Sequence, residues 1–211
     1  MGALEGILEE IKVCDKCCNV YPKYAEVIDP REKACIKFRV FEDWLPKRVR
    51  TLFIAESPPW ARQRYFYNEC MEDGLRAGLL RLLKIRDLKT FKERGNFLID
   101  AVKCRFNKRG MHIPRRVIYT CSRSYLRKEI DALRPERIFL LGKTALIGLQ
   151  AAFRDSSLGK YKNVIESCGA ELNVSGYDVI IGLYPSDQNR RYYYEMRKAF
   201  GKLTEGRESG P

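Results

Sequence analysis

The stretch Phe97-Leu98-Ile99-Asp100-Ala101-Val102-Lys103-Cys104-Arg105 most narrows what this chain can fold into. A short apolar run interrupted by a carboxylate reads as a buried strand. It runs straight into a cysteine placed between two cations. Cys121 follows after sixteen residues, and Cys14 and Cys17 lie far upstream. The expectation is a strand that ends at a working pocket, with its cysteine tying that pocket to a metal centre.

Other segments repeat the strand pattern. Arg50-Thr51-Leu52-Phe53-Ile54-Ala55-Glu56 is a buried strand stopped by Ser57-Pro58-Pro59, because consecutive prolines cannot continue a ladder. Arg137 to Gly142 is a third strand. Glu171 to Val174 and Tyr177 to Leu183 form a hairpin turning at Ser175-Gly176, before Tyr184-Pro185-Ser186. Between them lie helical patterns: Leu4, Ile7, Leu8 and Ile11 at helical spacing, Asp73 to Leu83, a helix starting at Pro114 that carries Cys121, Tyr125, Leu126, Ile130 and Leu133, then Lys143 to Phe153 and Asn189 to Leu203. The text from Tyr21 to Lys47 is irregular and reads as a long surface loop. Strands alternating with helices predict an α/β fold, a three-layer αβα sandwich around a short, mainly parallel central sheet. One domain over residues 1–203 is expected, its segment 1–35 binding metal, with 204–211 a flexible tail. Sites in such sheets gather at the carboxyl ends of strands, which is where Glu56, Asp100 and Tyr184 fall.

The 211 residues carry 40 basic and 27 acidic side chains, a net charge of +13. That balance favours a polyanionic partner. No apolar run is long enough to cross a bilayer. The N-terminus lacks the basic start and continuous apolar stretch of a secretory leader, which predicts an intracellular, cytoplasmic protein with reduced thiols. Eight cysteines then point to metal ligation before disulfides. Cys14, Cys17, Cys104 and Cys121 could hold either a tetrahedral zinc or an iron–sulfur cube. The second pair is spread over sixteen residues and a helix start, which fits the larger cluster better. Cys18, Cys35, Cys70 and Cys168 lack partner spacing and read as core or loop residues, with Cys35 the spare ligand.

Two tempting motifs are set aside. Gly142-Lys143-Thr144 imitates a nucleotide-binding loop, but Arg137 stands where its first glycine belongs. Cys14-x-x-Cys17 lacks the strand-to-helix setting of thioredoxin-like redox chemistry.

Taken together, the motifs resemble the family-four uracil-DNA glycosylases over roughly residues 4 to 200. Thr51 to Pro58 is similar to that family's strand followed by Gly-Glu-Ala-Pro-Gly. Asp100-Ala101-Val102-Lys103-Cys104-Arg105 followed by Cys121 is similar to its Asn-x-Val-Lys-Cys-Arg and later cysteine. Leu133-Arg134-Pro135 and Leu141-Gly142-Lys143-Thr144-Ala145 resemble its Leu-Arg-Pro and Leu-Gly-Arg-Thr-Ala. Tyr184-Pro185-Ser186 stands where the family has His-Pro. The resemblance implies a [4Fe–4S] cluster on Cys14, Cys17, Cys104 and Cys121. The departures bear on chemistry: both glycines of the first motif are lost, the uracil-reading asparagine is Asp100, and the histidine is Tyr184. His112, the one histidine, reads as a solvent-exposed loop residue.

Removing a base requires flipping the nucleotide, reading its edge and stabilising a sugar cation as the base leaves. Glu56 has the type and position to orient water and favour positive charge. An ionised aspartate only accepts hydrogen bonds, so Asp100 would repel uracil O4 and suit a base with an exocyclic amine; protonated by burial, it could still donate. The resemblance places a base-stacking aromatic within Tyr65-Phe66-Tyr67, with Phe66 the choice among the three. It also places Ser186, Asn189, Arg190 and Arg191 on a loop entering the duplex. Lys103, Arg105, Lys108, Arg109, Arg115 and Arg116 are expected to form a second phosphate-contacting face. The sequence therefore predicts a hydrolase acting on DNA that contains a damaged base, with specificity altered from uracil. The alternatives are a non-catalytic iron–sulfur nucleic-acid-binding protein on the same fold and a zinc-stapled nucleic-acid module.

Overall fold

The computed structural model describes residues 2–108 and 111–203. Arg109, expected at the phosphate face, and the tail 204–211 lie outside the described residues. In chain order the strands are β1 (Ile28–Asp29), β2 (Thr51–Ala55), β3 (Asn96–Asp100), β4 (Arg105–Phe106), β5 (Arg137–Leu141), β6 (Glu171–Val174) and β7 (Tyr177–Gly182). Five of them build the central sheet in the order β3-β2-β5-β7-β6. The pairs β2–β3, β2–β5 and β5–β7 are parallel, and β6 closes one edge antiparallel to β7. The expected mixed α/β architecture with a mainly parallel, helix-flanked sheet is what the chain adopts.

Parallel strands are covered on both faces, so their sequences run apolar without alternation. β2 and β3 are buried at every position. β6, on the edge, exposes Glu171 and Asn173 and buries Val174. Its hairpin to β7 turns at Ser175 (φ 52°) and Gly176 (φ 90°), two successive left-handed residues that match the twist of the flanking strands. On one face, Phe53 of β2 and its register partner Phe139 of β5 lie 5.5 Å apart, ring to ring. The helices Leu88–Glu93 and Tyr193–Gly201 cover them with Phe91 and Phe200. The helix Lys143–Phe153 packs against β2 and β5 together with the long helical segment Arg115–Leu133.

That segment widens into a π turn at Ser122–Leu126, just after Cys121. A second buried cluster joins Ile7 and Ile11 of the N-terminal helix Gly2–Lys12 to Val102, Phe106, Val117 and Tyr125. It also holds the short antiparallel pair β1–β4. The region 21–47, expected as a loop, contains β1 and two four-residue helices, Ala34–Lys37 and Val40–Asp43. Pro22, Pro30 and Pro46 keep these pieces short. Among the described residues no helix is long and apolar enough to cross a membrane.

Candidate functional site

The strand order reverses at β2, whose neighbours β3 and β5 lie on opposite sides of it. Ligands of open α/β sheets bind outside the carboxyl ends of strands at such a point. Glu56 follows β2 there. Its Oε2 accepts a hydrogen bond from Thr144 Oγ1 at 2.8 Å, at the start of the helix after β5. Its Oε1 is paired with the exposed Lys108. The Glu56 backbone is held as well: Ala101 N–H donates to Ala55 O (2.9 Å) and Val102 N–H to Glu56 O (3.0 Å).

Asp100 ends β3 and is 6% exposed. It lines a small cavity with Tyr65, Pro58, Cys35, Lys103 and Glu129. The Tyr65 hydroxyl donates to Asp100 Oδ2 at 3.1 Å. Burial pushes the Asp100 carboxyl up to about 7, against the opposing pull of the Lys103 charge and the Tyr65 bond. Lys103 Nζ donates to the Asp100 carbonyl and lies 2.5 Å from Glu129 Oε2, both side chains being enclosed. Burial works against the Lys103 charge, and the Glu129 carboxylate, together with Cys121 and Cys35, more than restores it.

Tyr184 follows β7. Burial raises its hydroxyl well above the usual phenol range, and the carboxylates of Asp73, Asp100 and Glu56 add to the shift. All three acids are thus within electrostatic reach of one phenol. Pro185 is seated against Gly78 of the helix Gly74–Leu83, where a Cβ would come within 2.5 Å of Pro185 O. Only glycine permits that approach, which anchors the end of β7 over the site.

The aromatic run divides. Tyr65 faces the cavity, with Phe38 stacked on its ring at 5.3 Å. Phe66, the residue chosen for stacking, instead packs between Phe91 and Tyr67 in the core and does not line the cavity. Arg76 fixes the run from below by donating to the carbonyls of Phe66 (2.9 Å) and Asn68 (2.8 Å).

The expected phosphate face needs correcting at two positions. Lys103 and Arg105 are 4% and 0% exposed, and both are engaged internally, so neither presents charge to a duplex. A sequence lists cations, but only packing shows which are enclosed. Lys108, Arg115 and Arg116 are exposed, and so are His112, Arg190 and Arg191. The Arg191 guanidinium lies 4.8 Å over the Tyr192 ring. Ser186 precedes the turn Asp187–Tyr192, and Asn189 Nδ2 donates to Tyr184 O at 2.8 Å, joining that turn to the site.

The four cysteines meet. Cys14, Cys17, Cys104 and Cys121 line one small cavity, with Lys16, Lys33, Lys103, Ser124 and Tyr125. The π turn brings Thr120 and Cys121 to the same wall as Ser124 and Tyr125. Lys33 Nζ donates to Cys14 O at 2.7 Å, and Lys103 N–H to Cys121 Sγ at 3.2 Å. Burial pushes the Cys17 thiol up to about 12 and also raises those of Cys104 and Cys121. Among the described residues no three His, Cys, Asp or Glu side chains are close enough for a single ion. Four thiols lining one cavity are a donor set of the kind that holds zinc or an iron–sulfur cluster. Cys18 is near enough to act on Cys17 and Cys104 electrostatically. Cys35, expected as the spare ligand, lines the Asp100 cavity instead.

Sequence reasoning missed Asp73, the Lys103–Glu129 pair, Phe38 and the lysines of the cysteine cavity. Asp73 had a local cue, as the cap whose side chain accepts from Arg76 N–H at 2.8 Å. The others come from distant segments and carry none.

Comparison with curated proteins gave no match. Comparison with protein families matched residues 42–205 to the uracil DNA glycosylase superfamily, a span containing Glu56, Asp100, Tyr184, Cys104 and Cys121 but beginning after Cys14 and Cys17. That family suggests a DNA substrate and glycosylase chemistry in general. With the parallel sheet, the carboxylates at its strand ends and a match over most of its length, the chain belongs to the uracil DNA glycosylase superfamily.

Proposed function

We propose that this protein, related to the family-four branch, is a DNA glycosylase that flips a damaged or deaminated base and hydrolyses its bond to the sugar, with a base preference altered from uracil. The observation that carries the reading is the gathering of Glu56, Asp100 and Tyr184 at the carboxyl ends of β2, β3 and β7, three parallel strands of one sheet with β5 between β2 and β7. Glu56 is the carboxylate that stabilises positive charge on the sugar and orients the attacking water. Thr144 fixes one of its oxygens. Lys108, exposed at the rim, is released to a phosphate when DNA binds and frees the other. Tyr184 keeps its proton at neutral pH and donates to the departing base, where relatives use histidine.

Asp100 reads the base edge beside Tyr65. Ionised, it accepts from an exocyclic amine; protonated, it offers a donor. With its carboxyl near 7, the balance between these states changes across the physiological range. Cys14, Cys17, Cys104 and Cys121 would hold a [4Fe–4S] cluster, with zinc the alternative. When bound, the cluster supplies a cross-link between the N-terminal segment and the segment leaving β3, and no chemical step depends on it.

The test is base release from duplex and single-stranded oligonucleotides carrying uracil, hypoxanthine, oxidised, methylated and other deaminated bases, at several pH values. Release of an amine-bearing base that rises with pH through about 7 is expected. Activity on uracil equal to or better than on every such base would overturn the altered preference. One observation favours a second reading, a DNA-binding protein without catalysis: both Glu56 oxygens already have partners. No release from any substrate, with salt-sensitive DNA binding retained, would establish that reading instead.

A further inference from the structure

We propose that Arg105 is a positioning residue that locks the loop behind Glu56 to the segment carrying Cys104. Its activity arm rests on the glycosylase reading above; its structural arm does not. Arg105 opens β4, and its side chain is fully enclosed. Nη1 donates to Pro59 O at 2.6 Å, while Nη2 donates to Arg62 O at 2.8 Å and to Glu32 Oε1 at 3.1 Å. One planar fork therefore holds two carbonyls of a single loop, with Trp60 between them and 42% exposed. A lysine ammonium has no such fork.

The same loop is held from its outer side. Arg62 Nη2 donates to Asp29 Oδ2 at 2.6 Å, and Asp29 is the register partner of Arg105 across β1 and β4. Upstream, Ala101 N–H and Val102 N–H hold the carbonyls of Ala55 and Glu56. Every one of these contacts to the 55–62 segment from residues 101–105 belongs to a stretch that also donates from Lys103 N–H to Cys121 Sγ. Enclosing a guanidinium is costly unless its donors are used. Here the two Nη groups are used on loop carbonyls and Glu32, while Nε has no hydrogen-bond partner among the described residues. The segment is thus anchored at the Ala55 and Glu56 carbonyls and again three to six residues beyond Glu56. The cysteine cavity and the Glu56 carboxylate are thereby parts of one rigid unit.

The test is Arg105→Lys, which keeps the charge facing Glu32 but cannot hold both carbonyls. The expected result is a fall in kcat of about tenfold to a hundredfold, with KM and DNA affinity nearly unchanged. Visible absorbance of the purified protein is retained. Amide exchange in residues 57–62 accelerates and the Trp60 emission moves toward that of a solvated indole, while exchange in β2, β3 and β5 stays as in the wild type. Wild-type kcat, or unchanged exchange in the loop, would overturn the proposal. Acceleration spread over the whole sheet would overturn it too, by assigning Arg105 a general structural role. If the wild type releases no base, the glycosylase reading fails by itself and the exchange result alone decides the clamp.

Discussion

Two cavities among the described residues have Lys103 in common. The first lies at the end of a parallel sheet and is charged: Asp100, Glu129 and Lys103 balance one another inside it. The second lies off the central sheet, beside only the two-stranded β1–β4 pair, and is lined by thiols drawn from residues as far apart as Cys14 and Cys121. In the first, regular backbone places the side chains and electrostatics sets their protonation. In the second, the walls come from short helices and loops, and a cross-link would have to supply the order that a sheet supplies elsewhere. A site on a sheet can tune charge because its geometry is already settled; a site on loops needs bonds to have a geometry.

The largest expected effect breaks that comparison from the cysteine side. Cys104→Ser is expected to abolish visible absorbance and lower the thermal midpoint by roughly 10 °C or more, because binding at such a centre is folding free energy. A colourless wild type that binds zinc would replace the cluster with the alternative metal. On the sheet side, Glu56→Gln is expected to slow base release by about 10²–10⁴ while leaving DNA affinity intact, as loss of a positioned catalytic carboxylate does. Equal loss of binding would mean that Glu56 shapes the surface and not the chemistry.

Lys103→Met strips the shared residue and leaves Glu129 enclosed and unpaired. It should cost about 3–5 kcal/mol of stability in urea unfolding. Adding Glu129→Leu should recover most of that loss, and a double variant as unstable as the single one would show that Lys103 acts mainly toward the thiols.

Asp100→Asn addresses the charge of the first cavity alone. A carboxyl raised by burial makes the folded state prefer the proton. Its cost to stability therefore appears as pH climbs above the ordinary 3.8, grows to about 7, and persists beyond. The variant should be more stable than the wild type by on the order of 2 kcal/mol at pH 8, the gain shrinking as pH falls. It should also shift base release toward uracil. A gain independent of pH would place the effect in packing. The smallest change is expected from Arg115→Ala, which should lower the salt dependence of DNA binding by about one phosphate contact.

Much of this was legible beforehand where local physics dominates. The apolar runs of β2, β3 and β5 read as buried strands because parallel strands are covered on both faces. Helix Lys143–Phe153 and the Ser175-Gly176 hairpin followed from periodicity and turn chemistry. The region 21–47 was misread as loop because its helices are a single turn long, too short for periodicity to register. Phe66 and Tyr65 are adjacent in sequence, yet one is core and the other faces the cavity. Nothing in an unpaired aromatic run tells which ring points where.

By itself, then, the sequence determined the strand ends, and with them that Glu56, Asp100 and Tyr184 would share one edge, since strand boundaries are set by residues close in the chain. Only the tertiary structure decided which cations are buried and what they hold. Arg105 and Arg115 are equally cationic in sequence, but one is enclosed against loop carbonyls and the other faces solvent. That difference depends on segments such as Glu32, Pro59 and Arg62, brought together by folding across distances no local pattern records.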